Sequence, residues 1–246
     1  MTQGNRQLPL DLPYAPSLAR DDLIVTTSNA LAAAAIDGWP DWPHPVTVIV
    51  GPPGTGKTHL ASAWRERADA TLFSGGGAPR GGGGQPFAVL IDDLETQLAD
   101  EEAIFHLVNA ARMGEGTVLV TARSRPADLP LHLADLKSRL QAATIVEVGA
   151  PDDALLQAVL AKLFADRQLV ISPSLIAYIG SRIERSLDTA RRFVAAVDRQ
   201  ALAAKRTISR PLLQQILAEF SSSFDSVADD GYERSEEASH SPKTES

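Results

Sequence analysis

The sequence has no cysteine and no long apolar run, and its histidines are scattered. With no cysteine in 246 residues, disulfides and thiolate metal ligands are excluded. No stretch approaches the roughly 18 apolar residues of a membrane span, and the first residues lack the apolar core of a signal peptide. The five histidines lack ligand spacing, so zinc is not expected. We therefore expect a cytoplasmic protein that does not contact membranes.

The chain is acidic, with 31 Asp and Glu against 23 Lys and Arg and a formal net charge of −8. A surface of this sign disfavours wrapping of duplex DNA. Part of the charge lies in residues 221–246, which are rich in serine and poor in branched apolar residues. This composition predicts a disordered acidic tail.

Apolar runs alternating with helical patterns predict an α/β core over residues 13–149. Strands separated by helices imply a parallel, doubly wound sheet. After Pro151 the apolar runs stop and helical spacing takes over, which predicts a small helical domain over residues 150–220. The glycine-rich stretch 75–84 is expected to be a flexible loop. The predicted strands are 46–50, 70–73, 87–91, 117–121 and 144–148.

A phosphate-binding loop is the strongest motif. Residues 51–58 satisfy G-x-x-x-x-G-K-[ST], directly after strand 46–50 and directly before a helical pattern. Its glycines let backbone N–H groups curl around phosphate oxygens at the positive end of a helix. Lys57 is expected to reach the β- and γ-phosphates and Thr58 to ligate Mg²⁺. The predicted nucleotide contacts of this segment are Gly51, Pro52, Pro53, Gly54, Thr55, Gly56, Lys57, Thr58 and His59.

Two adjacent carboxylates follow strand 87–91. Asp92 is expected to hold Mg²⁺, directly or through water, and Asp93 to orient or deprotonate the attacking water. Thr121, which ends the next strand, is a candidate sensor of the γ-phosphate; the equal alternative is a solvated strand end.

Two arginines extend the predicted site. Arg139 lies in the segment D-L-K-S-R-L just before the last strand. In a ring or filament of P-loop proteins, an arginine there can point into a neighbour's nucleotide site and raise its rate by ~10³–10⁵. The alternative is a solvated arginine on a helix face. Arg191, in the third helix of the helical domain, is a candidate contact to the γ-phosphate, a role for which Arg185 and Arg192 compete.

Taken together, these motifs resemble the AAA+ ATPases of the DnaA clade, over about residues 20–220. The features that carry the resemblance are the P-loop, the Ile-Asp-Asp strand end, Leu-Lys-Ser-Arg139 and the helical module around Arg191. The resemblance implies an AAA+ P-loop core with a parallel five-stranded sheet, followed by a small C-terminal helical lid. It also implies ADP or ATP, with Mg²⁺, as the ligand.

The segment 22–31 resembles the one that cups the adenine in this clade, which adds Asn29 to the predicted nucleotide contacts. The initiator DnaA continues into a helix-turn-helix domain that has no counterpart here, so we expect no sequence-specific reading of DNA. Two residues depart from the clade's pattern. Arg123 stands where an acidic residue is usual, which weakens the sensor role of Thr121. Asp93 is shorter than the glutamate of vigorous AAA+ motors, which predicts weak ATP turnover by the chain itself.

A hexapeptide in the leader, residues 1–12, matches the pattern Gln-x-x-Leu-x-Leu/Phe. Many bacterial proteins use this pattern to dock on the sliding clamp of DNA polymerase III. Leucines would fill an apolar groove while the glutamine amide meets fixed polar partners; the alternative is an unstructured apolar leader. The predicted contacts are Gln7, Leu8, Leu10 and Leu12.

The combination resembles the Hda-type regulatory inactivators of DnaA. That resemblance implies a clamp-bound, adenine-nucleotide-gated protein at the replisome, which lends Arg139 in trans to ATP hydrolysis by DnaA and so prevents re-initiation. Its own ATPase activity would be weak, and a second copy of the chain is a further candidate partner. The alternative is an ATP-hydrolysing, DnaC-like helicase loader or DNA remodeller, although the sequence shows no aromatic–basic interleaving for single strands. A small-molecule P-loop kinase is a third candidate.

Overall fold

A computed structural model describes residues 18–75, 86–204 and 208–220. The leader motif, the stretch 76–85 and the tail 221–246 lie outside the described residues, so the predictions made for them stay predictions. Within the described part, the helices are α1 (Ala30–Asp37), α2 (Lys57–Arg67), α3 (Glu101–Arg112), α4 (Ala134–Gln141), α5 (Asp153–Asp166), α6 (Pro173–Gly180), α7 (Leu187–Ala204) and α8 (210–220). The strands are β1 (Val46–Val50), β2 (Thr71–Leu72), β3 (Phe87–Ile91), β4 (Gly116–Ala122) and β5 (Thr144–Glu147).

The described strands form one parallel five-stranded sheet in the order β2-β3-β4-β1-β5. The predicted parallel α/β fold is therefore confirmed. Register places Val50 beside Ala122 and Ile91 beside Val120, so β1, β3 and β4 end at the same edge. In an open parallel sheet this carboxyl edge is where ligands bind. The segments that follow these strands consequently meet in one place.

The sheet is covered by helices on both faces, as the alternation of side chains along β1 requires. Val46, Val48 and Val50 pack into one apolar cluster with α3 and α4. Ile49 packs into a second cluster with α1 and α2, which includes the fully buried Trp64. All five residues of β1 are buried, as expected of a central parallel strand.

Two elements differ from the prediction. β2 is reduced to Thr71–Leu72, and both of its residues are exposed, because it forms an edge of the sheet. Helix α1 was not predicted, since its alanine-rich sequence has little contrast between polar and apolar faces. Alanine is nevertheless the strongest helix former, and Ala32, Ala33 and Ile36 are buried against the sheet layer.

The last four helices form a bundle with its own apolar cluster. Two residues of α5, one of α7 and one of α8 are fully buried there: Leu156, Phe164, Phe193 and Leu213. The bundle contacts the α/β layer through the P-loop, where the N–H of Leu187 donates to the carbonyl oxygen of Gly54 at 2.7 Å. Among the described residues, no helix has the length and apolar composition needed to cross a bilayer.

Candidate functional site

The P-loop lies between β1 and α2, and its glycines are needed for two different reasons. Gly54 and Gly56 have φ angles of 75° and 92°, which side-chain-bearing residues rarely adopt. At Gly51 the reason is packing, because a Cβ would lie 2.2 Å from the carbonyl oxygen of Val148. At Gly54 packing adds to conformation, since a Cβ there would lie 2.0 Å from Oγ of Ser186. The loop is thus shaped both by its own backbone and by the helical bundle.

Lys57 begins α2 and points back across the loop. Its Nζ donates to the carbonyl oxygens of Gly51 at 2.6 Å and Pro52 at 2.9 Å. Burial lowers the pKa of this lysine, while the charges of Asp93 and Glu95 oppose the shift. A buried ammonium whose solvation is incomplete gains from a polyanion placed against it. This arrangement fits a phosphate group at the loop.

An open cleft of about 560 Å³ lies between the P-loop, the segment before α1 and the helical bundle. Its walls bring together three parts of the chain that are far apart in sequence. The lining residues that matter for the site are Asn29, Thr55, Gly56, His59, Leu187 and Arg191.

Two predicted nucleotide contacts in this cleft also hold its walls together. Oδ1 of Asn29 accepts from the N–H of Thr26 at 2.8 Å, and its Nδ2 donates to the carbonyl oxygen of Ile24 at 2.9 Å. Asn29 therefore shapes the loop with both of its polar atoms. A ring nitrogen of His59 lies 3.2 Å from the carbonyl oxygen of Ala19, and burial lowers the pKa of this histidine.

The three candidate arginines of the bundle occupy different surroundings. Arg191 lines the cleft, and its charge contributes to the low pKa of His59. Arg185 pairs with Asp153 at 2.8 Å, and Arg192 lies 3.5 Å from Asp188 on the same helix. Of the three, Arg191 is the one that lines the cleft, and its predicted phosphate contact stays a prediction.

The adjacent carboxylates follow β3 at the same edge of the sheet. The hydroxyl of Thr121, at the end of β4, donates to Oδ1 of Asp92 at 2.6 Å and accepts from the N–H of Asp93 at 2.8 Å. Thr121 is 1% exposed, so the alternative of a solvated strand end is wrong. Its hydroxyl instead joins the ends of two strands and orients Asp92.

Asp93 is held by an ion pair across the edge of the sheet. Arg123 donates to it with Nε at 2.9 Å and with a terminal nitrogen at 2.5 Å, one bond to each carboxylate oxygen. The backbone of Arg123 is fixed in turn, because Glu95 accepts its N–H at 2.7 Å and that of Ser124 at 3.1 Å. The sequence showed Arg123 as a departure from the clade's pattern but did not reveal this partner.

Residues that sequence reasoning missed tie the cleft's walls together. Asp152 caps the N-terminus of α5, where it accepts from the N–H of Leu155 at 2.7 Å. The same carboxylate accepts from the hydroxyl of Thr27 at 2.9 Å and the N–H of Ser28 at 3.2 Å. An aspartate directly before a helical pattern is a signal for an N-cap, but its contact with the segment before α1 has no local signal.

Arg139 lies on α4, away from the cleft-lining residues. Its guanidinium carbon is 4.9 Å from the centre of the Phe105 ring on α3. The side chain is partly buried. Among the described contacts it meets α3 and none of the P-loop residues, so its placement is compatible with use outside the chain's own site.

Comparison with known sequences gives distant relatives. No family profile matches the chain. An uncharacterised protein of Haemophilus influenzae is 25% identical over 230 residues, which cover 87% of this chain and 99% of that protein. The chromosomal replication initiator protein DnaA of Sphingopyxis alaskensis is 27% identical over 210 residues, which cover 73% of this chain. The match spans 46% of that initiator, so slightly less than half of its length is represented.

Comparison with solved structures identifies the fold. Domain III of the Thermotoga maritima replication initiation protein DnaA superposes with a TM-score of 0.69 at 14% identity, covering 85% of this chain and 99% of that one. The AMPPCP-bound DnaA of Aquifex aeolicus gives a TM-score of 0.59 at 16% identity, covering 78% and 69%. The fold is that of AAA+ P-loop NTPase domains. The AAA+ fold expected from the resemblance to the DnaA clade is thereby confirmed.

Proposed function

We propose that this chain binds ADP or ATP with Mg²⁺ in the cleft between the P-loop and the helical bundle. Backbone N–H groups of residues 54–58 and the ammonium of Lys57 would hold the phosphates. Thr58, which is exposed, and Asp92 would supply oxygen ligands to Mg²⁺, which otherwise keeps water and phosphate oxygens. The left-handed glycines and the buried lysine support this proposal.

The remaining predicted contacts belong to the other walls of the cleft. Asn29 and His59 would border the base, and Arg191 would approach the terminal phosphate from the bundle. Bound nucleotide would then touch the P-loop, the segment before α1 and α7 at once. Because Gly54 and Leu187 already share a hydrogen bond, a nucleotide that moves the P-loop would also move the bundle. The ligand would act chiefly on conformation.

The observation that carries the regulatory part of the proposal is the pairing of Asp93 with Arg123. A carboxylate whose two oxygens already accept from a guanidinium has less capacity to accept a further hydrogen bond and to orient water. A chain with this arrangement is expected to hold nucleotide and to hydrolyse it slowly. That favours a nucleotide-gated regulator over an ATP-turning helicase loader.

In this proposal the chain is a regulator of the Hda type that stimulates ATP hydrolysis by DnaA. Gln7, Leu10 and Leu12 would dock it on the sliding clamp in the cytoplasm, and the clamp would raise its local concentration at the replisome. Arg139 would then complete the nucleotide site of DnaA in trans, or that of a second copy of this chain in an assembly. The location of Arg139 on α4, apart from the chain's own P-loop, supports this role.

The test is ATP hydrolysis by DnaA on DNA-loaded clamps in the presence of this chain. Arg139→Ala is expected to abolish the stimulation, since an arginine finger contributes ~10³–10⁵ in rate. The matched control is Arg112→Ala, which removes an exposed arginine at the end of α3 and should leave the stimulation intact. Both variants should retain ADP and the clamp, measured by fluorescence titration and by pull-down.

Three outcomes would contradict parts of the proposal. Full stimulation by Arg139→Ala would contradict the arginine-finger role of Arg139. Unchanged clamp capture after Gln7→Ala with Leu10→Ala would contradict the clamp-docking role of the leader hexapeptide. Fast, DNA-stimulated ATP turnover by the chain alone would favour the helicase loader.

A further inference from the structure

Two side chains of helix α3, one helical turn apart, contact α4 and the residues directly before it. Glu101 and Phe105 are separated by four residues and therefore share one face of α3. Glu101 contacts the residues that precede α4, and Phe105 contacts Arg139 near the end of α4. The same face thus meets α4 at both ends.

Glu101 fixes the start of α4. Its two carboxylate oxygens accept the N–H groups of His132 at 3.0 Å and Leu133 at 2.6 Å. These donors directly precede Ala134, the first residue of α4. Glu101 is 8% exposed, so the bonds are shielded from water and hold the helix in a defined place relative to α3.

Phe105 fixes the other end of the contact. Its ring is partly buried, packs against the main apolar cluster and meets the ring of His106 edge-on with centroids 5.6 Å apart. The guanidinium carbon of Arg139 lies 4.9 Å from the ring centre, within the range of a cation–π contact. A ring that packs against the core offers the flexible arginine a fixed surface.

We propose that Glu101 and Phe105 form a platform that positions Arg139 for use in a partner's nucleotide site. The inference rests on the trans role proposed for Arg139. An arginine that already occupies few rotamers loses less conformational freedom when it engages a phosphate. Phe105 is in this sense a positioning residue, which acts through Arg139 and does not touch the partner's nucleotide.

The experiment compares Phe105→Leu, which keeps an apolar side chain, with Phe105→Tyr, which keeps the aromatic face. The readout is DnaA ATP hydrolysis on DNA-loaded clamps as a function of chain concentration. Phe105→Leu should lower the maximal stimulated rate roughly 2- to 5-fold, the population change that one cation–π contact at the weak end of its range supports. The concentration giving half-maximal stimulation should not change, and Phe105→Tyr should retain the full rate.

A second measurement needs no partner. The side-chain Nε–Hε group of Arg139, observed by NMR in the full chain, should become more mobile in Phe105→Leu and stay as ordered in Phe105→Tyr. Melting temperature and ADP affinity of each variant show that the fold is kept. If Phe105→Leu does not fold, the comparison of Phe105→Tyr with the unsubstituted chain still requires equal order at Arg139.

A double substitution separates the positioning role of Phe105 from the trans role of Arg139. In the Arg139→Ala background, Phe105→Leu should cause no further loss, because the platform would have nothing left to position. If Arg139→Ala alone changes nothing, the proposed trans role fails. If Arg139→Ala abolishes stimulation while Phe105→Leu keeps the full rate, or Phe105→Tyr falls as far as Phe105→Leu, the platform is wrong and the trans role stands.

Discussion

The candidate site has two ends, the P-loop and the acidic pair after β3, which lie at the same edge of the sheet but differ in what they leave available. At the P-loop end, two left-handed glycines and the buried Lys57 leave an arrangement suited to phosphate. At the acidic end, Asp93 is paired with Arg123 through both carboxylate oxygens. Under the proposed function, holding a nucleotide and hydrolysing it would depend on separate residues. A chain can keep the first property while the second is restrained.

The strongest effect is expected from a substitution at the P-loop end of the site, the binding end. Lys57→Met removes the ammonium while keeping a side chain of similar length. Charge-assisted hydrogen bonds contribute about 1.5–3 kcal/mol each, so we expect the Kd for a fluorescent ADP analogue to rise roughly 10- to 100-fold. Equilibrium titration of the full chain measures this.

The control for this change is Lys162→Met. Lys162 lines the cleft, but it pairs with Asp22 at 2.6 Å and with Asp166 at 3.5 Å. Because its ammonium is already engaged by these two carboxylates, its loss should weaken ADP binding by less than about fivefold, which corresponds to about 1 kcal/mol. Equal weakening by the two substitutions would mean that Lys57 has no special contact with phosphate.

A smaller effect, on the chain's own ATP hydrolysis, is expected from a substitution at the acidic end. Arg123→Ser should release Asp93 and raise the chain's own ATP hydrolysis roughly 2- to 5-fold, since an exposed ion pair holds a group with at most about 1 kcal/mol. ADP affinity should stay the same, because Arg123 lies outside the P-loop. Steady-state phosphate release at saturating ATP measures the rate.

Arg125→Ser is the matched control for Arg123→Ser. It removes a second exposed arginine two residues further on, whose Nε donates to Glu147 at 2.5 Å. That pair lies away from the adjacent carboxylates, so the rate should not change. A fall in hydrolysis after Arg123→Ser would show that Arg123 promotes turnover, contrary to the restraint inferred from the ion pair.

The difference between the two ends also explains how far sequence could predict the site. The P-loop is a local feature, since glycines and a lysine at fixed spacing between a strand and a helix specify it within eight residues. Strand β1 was equally predictable, because a run of β-branched apolar residues favours a buried strand. The carboxylates after β3 were predictable for the same reason, since they directly follow a run of apolar residues.

The restraint on Asp93 has no such local signal. Arg123 is 30 residues away along the chain, and the two meet because β3 and β4 are neighbours in a particular register. A change of one residue in that register would shift the end of β4, and with it Arg123, relative to the carboxylates that follow β3. Contacts of this kind depend on tertiary structure, which is why the sequence marked Arg123 as unusual without indicating its partner.

The weakest effect is expected at Asp152, which joins the segment before α1 to α5 in the wall of the cleft, and it concerns the melting temperature. Accepting the N–H of Leu155, helped by bonds from Thr26, Thr27 and Ser28, lowers the pKa of Asp152 from its ordinary value of 3.8 to about 2. A lowered folded-state pKa stabilises the fold above the unfolded pKa, and that contribution is lost as the pH falls from about 4 towards 2. Asp152→Asn should therefore melt a few degrees below the unsubstituted chain at neutral pH, and the gap should close across that window.

Asp153→Asn provides the comparison for Asp152→Asn, because Asp153 is the next residue and its pair with Arg185 is exposed. Its melting temperature should follow that of the unsubstituted chain at neutral pH. The rise in melting temperature caused by ADP should also be smaller in Asp152→Asn than in Asp153→Asn, since Asp152 ties the segment before α1 to α5. A gap that stays constant down to about pH 2 would mean that the charge of Asp152 does not hold this wall. The binding end would then depend on the P-loop alone.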